Sequence, residues 1–113
     1  MSARLTPGVE VGALIRRAEV GGGFGTVLRS GDPDRGTVLL VITSRGRHVA
    51  VLERVLSTDA NYVWQACGPA ESANSEEVAQ FLARRARFDA DSWLIELDIA
   101  EPERFIAETT ASG

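Results

Sequence analysis

A single histidine, His48, and a single cysteine, Cys67, are the side chains here best suited to act as neutral-pH base and thiolate nucleophile. All twelve basic residues are arginine. Without lysine there is no Schiff-base amine, no phosphate-loop ammonium and no kinase-type ATP lysine. One histidine and one cysteine cannot build a Cys/His metal cage, so no metal and no cofactor is expected. Nothing resembling a nucleophile elbow surrounds Cys67. It reads as a small buried hydrophobe, and His48 as a strand-end side chain in contact with solvent.

Three further groups could do chemistry. Arg84, Arg87, Asp89 and Asp91 form the densest charge cluster. Arginines at a helix C-terminus complement the macrodipole, and their forks could instead grip a carboxylate or another anion. Arg54, Tyr62 and Trp64 form the second group. If the strands on either side of Asp59 pair with residue numbers summing to about 118, Arg54 faces Trp64 as a cation–π pair and Cys67 faces Val51. That register puts His48 on the opposite face from Cys67. The third group is a pair of glycine-rich stretches. Gly22-Gly-Phe-Gly-Thr-Val27 lacks both the strand before it and the lysine that a nucleotide loop needs, so it reads as a helix end followed by a strand. Gly31-Asp-Pro-Asp-Arg-Gly36 holds two acids in six residues, short of a calcium loop, and reads as a solvated hairpin turn.

The elements that would position these groups follow from periodicity. Residues 1–8 read as an extended arm ending in Pro7-Gly8, without the apolar run of a signal peptide. An amphipathic helix is predicted from Val9 to Val20, with Val9, Ala13, Leu14, Ala18 and Val20 inward. Glycines 21–23 end it. Strands are predicted at Phe24–Arg29, Thr37–Thr43, His48–Leu56 and Tyr62–Cys67, joined as a meander whose first connection is a hairpin. Val38 to Ile42 is apolar on both parities, which marks a strand covered on both faces. Asn74 and Glu77 have capping-box spacing before a helix to about Arg87, with Val78, Phe81, Leu82 and Arg85 on one face. A fifth strand, Trp93–Ala100, alternates apolar and polar, and the tail beyond Pro102 reads as polar apart from Phe105-Ile106.

The expected fold class is α+β: a mainly antiparallel five-stranded sheet in the order 5-1-2-3-4, with two helices on opposite faces, forming a single domain over residues 1–113. The fifth strand should run parallel to the fourth and pair antiparallel with the first. With 44% hydrophobic and 25% charged residues the composition is that of a soluble globule. The net charge of −4 argues against nucleic acid. The longest apolar run is far short of a membrane span, so no membrane partner is expected. A lone cysteine points to a reducing, cytoplasmic setting.

The runs Ala13-Leu-Ile-Arg-Arg-Ala-Glu19, Gly23-Phe-Gly-Thr-Val-Leu-Arg-Ser-Gly-Asp32 and Arg87-Phe-Asp-Ala-Asp-Ser-Trp-Leu-Ile-Glu-Leu97 resemble a family of small alphaproteobacterial proteins, domain of unknown function 1491. The last run is similar to that family's RFDPDLWVVEI segment, with Ala90 where the family has proline. The match covers nearly the whole chain and is weakest from Arg45 to Ala73. It implies a cytoplasmic bacterial protein from GC-rich genomes, which suits the missing lysines, and it implies no activity. The functional expectation is therefore a non-catalytic binding or interaction module acting through a protein partner or self-association. The sheet's exposed face, the patch of Arg54, Tyr62 and Trp64 and the edge of the fifth strand supply contacts, and a homodimer forms through the uncharged fourth strand around Trp64, since Glu96 and Asp98 put like charges on one face of the fifth. The alternative is a small enzyme or anion binder built on Arg84, Arg87, Asp89 and Asp91.

Overall fold

In the computed structural model, which describes residues 6–111, the elements are α1 (Pro7–Val20), β1 (Phe24–Arg29), β2 (Val38–Ser44), β3 (Arg47–Leu56), β4 (Tyr62–Cys67), α2 (Ser75–Phe88), β5 (Trp93–Asp98) and α3 (Pro102–Ala111). The α+β class and the five strands match expectation. The arm expected over residues 1–5 lies outside the described residues. Pro7, read as the end of that arm, instead opens α1, where its missing N–H is no loss.

The strand order is β1-β5-β2-β3-β4. β5 lies between β1 and β2, antiparallel to the first and parallel to the second. The expected directions of all five strands hold, and so does the β1–β5 pairing. What fails is the β1–β2 hairpin and the outside position of β5. Residues 30–37 do not turn a hairpin; they arch over the chain entering β5. The Asp32 N–H donates to the Asp91 carbonyl at 2.9 Å, and the Trp93 indole N–H donates to the Asp32 carbonyl at 2.8 Å. The Trp93 backbone N–H donates to the Thr37 carbonyl at 2.7 Å. A Cβ built on Gly31 or Gly36 would stand 2.1 Å from the Asp91 carbonyl oxygen, so these glycines permit close crossing of two chains rather than a tight turn.

The two-sided apolar character of β2 is explained by its central place. Val38 through Thr43 are all buried. On one face, Val38, Leu40 and Ile42 join Leu52, Trp64, Ile95, Leu97 and Ile99 in a core closed by Val11, Leu14 and Ala18 of α1 and Phe105 of α3. The other face is covered by α2: Val78 is buried and Arg85 meets Glu53 at 2.8 Å. Helices α1 and α2 thus lie on opposite faces. The inward stripe of α1 is Pro7, Val11, Leu14 and Ala18, with Glu10 beside it. That is a different phase from the expected one, and it leaves Val9, Ala13 and Val20 exposed.

The third helix is a correction to the two-helix expectation. Pro102 at its start and Glu103 in its first turn are ordinary helix-opening residues. Phe105 and Thr109, four residues apart, are buried as one face. At α2 the capping box is present: the Glu77 N–H donates to Asn74 Oδ1 at 2.8 Å, and the Asn74 N–H donates to Glu77 Oε1 at 3.2 Å.

Candidate functional site

The β3–β4 register is the one expected. Arg54 pairs with Trp64 and Val51 with Cys67. The Arg54 guanidinium carbon lies 5.2 Å from the Trp64 ring centroid. The pair faces inward, however. Trp64 is 5% exposed and belongs to the core, and Arg54 meets the buried Glu10 of α1 at 3.5 Å. Tyr62 is half-buried on the same strand. Arg54 and Glu10 therefore tie α1 to the sheet as a largely buried ion pair beside the Trp64 ring, and Trp64 is covered by its own chain. This removes the geometric basis for a homodimer built around an exposed Trp64.

His48 departs from its expected face. A β-bulge after Ile42 pairs Ala50 with Ile42 but His48 with Thr43. That extra residue shifts His48 to the face shared by Thr43, Val51 and Cys67. It is half-buried rather than solvent-facing: Nε2 lies 3.1 Å from the Pro69 carbonyl, and Nδ1 is buried without a hydrogen-bond partner among the described residues. Cys67 is half-buried near Glu53 and Arg85. Burial first, and the Glu53 carboxylate second, push its thiol up to about 11, against a smaller opposing pull from Arg85. The thiol is protonated at neutral pH, the reverse of what a nucleophile needs.

The structure does not gather the arginine–aspartate cluster. Arg84 and Arg87 stand exposed on the outer side of α2, beside Gln80 and Ala83, in a shallow depression of about 270 Å³. Asp89 and Asp91 belong to the turn that follows. Asp89 accepts from the Thr37 hydroxyl at 3.1 Å and from the Asp91 N–H at 3.2 Å. The carboxylate of Asp89 is thus spent on locking the turn to the arch before β2.

Two carboxylates that the sequence reading treats only as a bar to self-pairing of the fifth strand sit within the sheet. Glu96 and Asp98, on the α2-side face of β5, both lie 3.1 Å from the buried Thr43 hydroxyl, which donates to one of them at a time. Asp98 also accepts the backbone N–H groups of Arg45 (2.9 Å) and Gly46 (2.8 Å). The Gly46 N–H is the main cause holding the Asp98 carboxyl below its ordinary range. These bonds explain how an internal strand tolerates acids. Among the described residues, no group of three or more His, Cys, Asp or Glu side chains is arranged to hold a metal ion.

Among the described residues, exposed large apolar side chains concentrate at and just before β1, one of the two sheet edges. Val20 is 90% exposed, Phe24 57%, Val27 41% and Leu28 46%. These are four of the seven exposed large apolar residues among those described, within nine consecutive positions. The signal was legible as an apolar run between glycines and Arg29, but reading it as hairpin-paired hid it.

The fold and these positions define a small α+β protein in which a five-stranded mixed sheet is sandwiched between helices, with β1 an edge strand that pairs only with β5 among the described residues. The chain belongs to the DUF1491 family: the family model described as "Protein of unknown function (DUF1491)" matches residues 5–107. Solved structures agree. The crystal structure of a DUF1491 family protein from Caulobacter crescentus CB15 is 31% identical, covers 84% of this chain and 88% of its own, and superposes with a TM-score of 0.75. An NMR structure of a DUF1491 family protein from Caulobacter crescentus CB15 is also 31% identical, over 89% and 91% of the two chains, with a TM-score of 0.74. The solution structure of protein Atu0922 from A. tumefaciens is 28% identical over 88% of this chain and 89% of that one, with a TM-score of 0.74. No curated protein matches the sequence.

Proposed function

We propose that this protein is a non-catalytic interaction module that engages a protein partner through the β1 edge. The observation that carries the reading is the exposed apolar side chains Phe24, Val27 and Leu28 on a strand with one side unpaired among the described residues, with Val20 exposed at the end of α1 just before it. A bare edge offers backbone donors and acceptors for strand addition, and the side chains beside it supply apolar area. β1 carries no lysine or proline to blunt such pairing.

Other features support the same reading. The Cys67 thiol is held protonated, Arg84 and Arg87 line a shallow depression with Gln80 and Ala83, and the Asp89 carboxylate is engaged by Thr37 and the Asp91 N–H instead. The contact assigned to Arg54, Tyr62 and Trp64 moves to β1, since Trp64 and Glu10 enclose Arg54. The net charge of −4 supports protein rather than nucleic acid as partner. No described helix is long and apolar enough to cross a membrane. The reading further places the module in the cytoplasm as a single domain over residues 1–113, working without a cofactor.

The test is affinity capture from a native lysate with wild type and with the double variant Phe24→Glu/Leu28→Glu, followed by mass spectrometry of any captured complex after photo-cross-linking with a residue-unselective diazirine reagent, since residues 20–29 carry no lysine or carboxylate. The expected result is a specific partner lost in the variant, with cross-links clustered on residues 20–29. Cross-links centred on α2 or β4, unchanged by the substitutions, would overturn the reading.

A further inference from the structure

The two faces of the sheet are closed unequally. The core cluster takes Val11, Leu14 and Ala18 from α1 and Phe105 from α3, but no residue from α2. On the α2 side, Glu53 meets Arg85 and pairs across the strands with Leu39, and two residues along Val51 pairs with Val41. Leu39, Val41 and Val51 therefore lie on the face that α2 covers. All are buried, and none belongs to the core cluster. Against them α2 sets one fully buried side chain, Val78, where α1 buries five residues. Phe81, Leu82 and Ala86 are half-buried, and Phe88 at the helix end is exposed.

The segment carrying α2 is fastened at its ends rather than along its length. Before it, His48 Nε2 lies 3.1 Å from the Pro69 carbonyl. After it, the Asp89 carboxylate accepts from Thr37, and the Asp89 carbonyl accepts the Ser92 hydroxyl at 2.8 Å. Arg29 Nη2 donates to the Ala90 carbonyl at 2.6 Å. Between these anchors the capping box and the Gln80–Glu76 hydrogen bond stay within the segment, while Arg85 reaches the sheet at Glu53. Both partners of that ion pair are partly open to solvent, so the tie is a modest one. Phe81 adds a contact near the first anchor, its ring lying over Gly68. A helix of 14 residues draws most of its stability from packing, and an element with few buried apolar side chains sits at the low end of a protein's local stabilities.

We infer that residues 70–88 form a hinged cover, which opens as one unit between the Pro69 and Asp89 anchors while the α1-side core stays closed, and which bares Leu39, Val41 and Val51. The strands need not part for this, because β2 keeps β5 and β3 as its neighbours. The device is separate from the β1 edge and stands or falls without it.

Native-state hydrogen exchange tests the cover, measured where exchange follows the opening equilibrium, on wild type, Val11→Ala and Glu53→Gln. Once detached, so short a helix is marginal in water, and its amides exchange through the opening. Amides 79–87 should be protected roughly tenfold less, or weaker still, than amides 39–42 of β2, and should respond more shallowly to low urea. Val11→Ala removes a buried contact that the open form keeps. It should speed exchange in β2 by roughly tenfold and leave residues 79–87 unchanged. Glu53→Gln removes a contact that the open and the unfolded forms both lack, so exchange in both elements should rise by a similar factor, about threefold. Circular dichroism spectra matching wild type confirm that both variants fold. If Val11→Ala speeds both elements equally, or if 79–87 show the protection and urea response of β2, then α2 opens only with the whole molecule and the inference is overturned. Exchange of 79–87 that ignores Glu53→Gln also overturns it, since Arg85 would then not be what holds the cover shut.

Discussion

Replacing Gly36 by alanine tests the insertion of β5 between β1 and β2. Neither Gly36 nor Gly31 has a left-handed φ, so in an open turn alanine would be tolerated and would stabilise by up to about 1 kcal/mol through the unfolded chain. In the observed arch the new Cβ of Gly36→Ala would lie 2.1 Å from the Asp91 carbonyl oxygen, 2.9 Å from the Asp32 carbonyl oxygen and 3.1 Å from Trp93 Cδ1. Two of these are backbone atoms that cannot swing aside, so the arch and the chain entering β5 must separate. Separation weakens the Asp32–Asp91 and Trp93–Asp32 hydrogen bonds, each contributing about 1 kcal/mol net. Overpacking adds about 1–3 kcal/mol. The sum is about 3–5 kcal/mol, or roughly 12–20 °C in Tm for a chain of this size. Urea titrations followed by tryptophan fluorescence measure it directly. Gly22→Ala is the control: φ is +87° and nothing lies within 4 Å of its Cβ, so it should cost only about 1 kcal/mol. If Gly36→Ala melts at or above the wild-type temperature, the arch over β5 is wrong and residues 30–37 form an ordinary hairpin.

Three further outcomes follow from the geometry. Trp64→Ala should cost about 3–5 kcal/mol in urea unfolding, because the ring is core and covers the Arg54–Glu10 pair; a loss below about 1 kcal/mol would mean the ring is solvent-facing. Asp98 has its folded pKa lowered from 3.8 by the Gly46 N–H, so its stabilising contribution is complete above 3.8 and is lost as pH falls through the folded value. Asp98→Asn should accordingly be less stable than wild type at neutral pH, with the gap closing on acidification below 3.8; a gap constant with pH would contradict this. Cys67, with its thiol raised to about 11, should react slowly with an aromatic disulfide reagent at pH 8 and rapidly once urea unfolds the chain, and equal rates in both conditions would refute its burial.

Much of this protein was determined locally. The capping box at Asn74 and Glu77, the uncharged β4 and the two-sided β2 each depend on neighbours within a few residues, where periodicity and turn chemistry act directly. The short connection around Asp59 made the β3–β4 register readable, since a tight turn leaves few ways to pair the strands that flank it. Strand directions followed from counting connections. The place of β5 did not: pairing partners about sixty residues apart are chosen by which arrangement buries the apolar faces of β2 and β5 together, and local pattern is silent on that choice. The bulge that moves His48 to the Cys67 face is likewise a tertiary outcome, one extra residue that alternation cannot reveal. So is the separation of Arg84 and Arg87 from Asp89 and Asp91. Four charges adjacent in sequence part company because the helix turns two of them to solvent while the arch over β5 draws the Asp89 carboxylate and the Asp91 backbone inward.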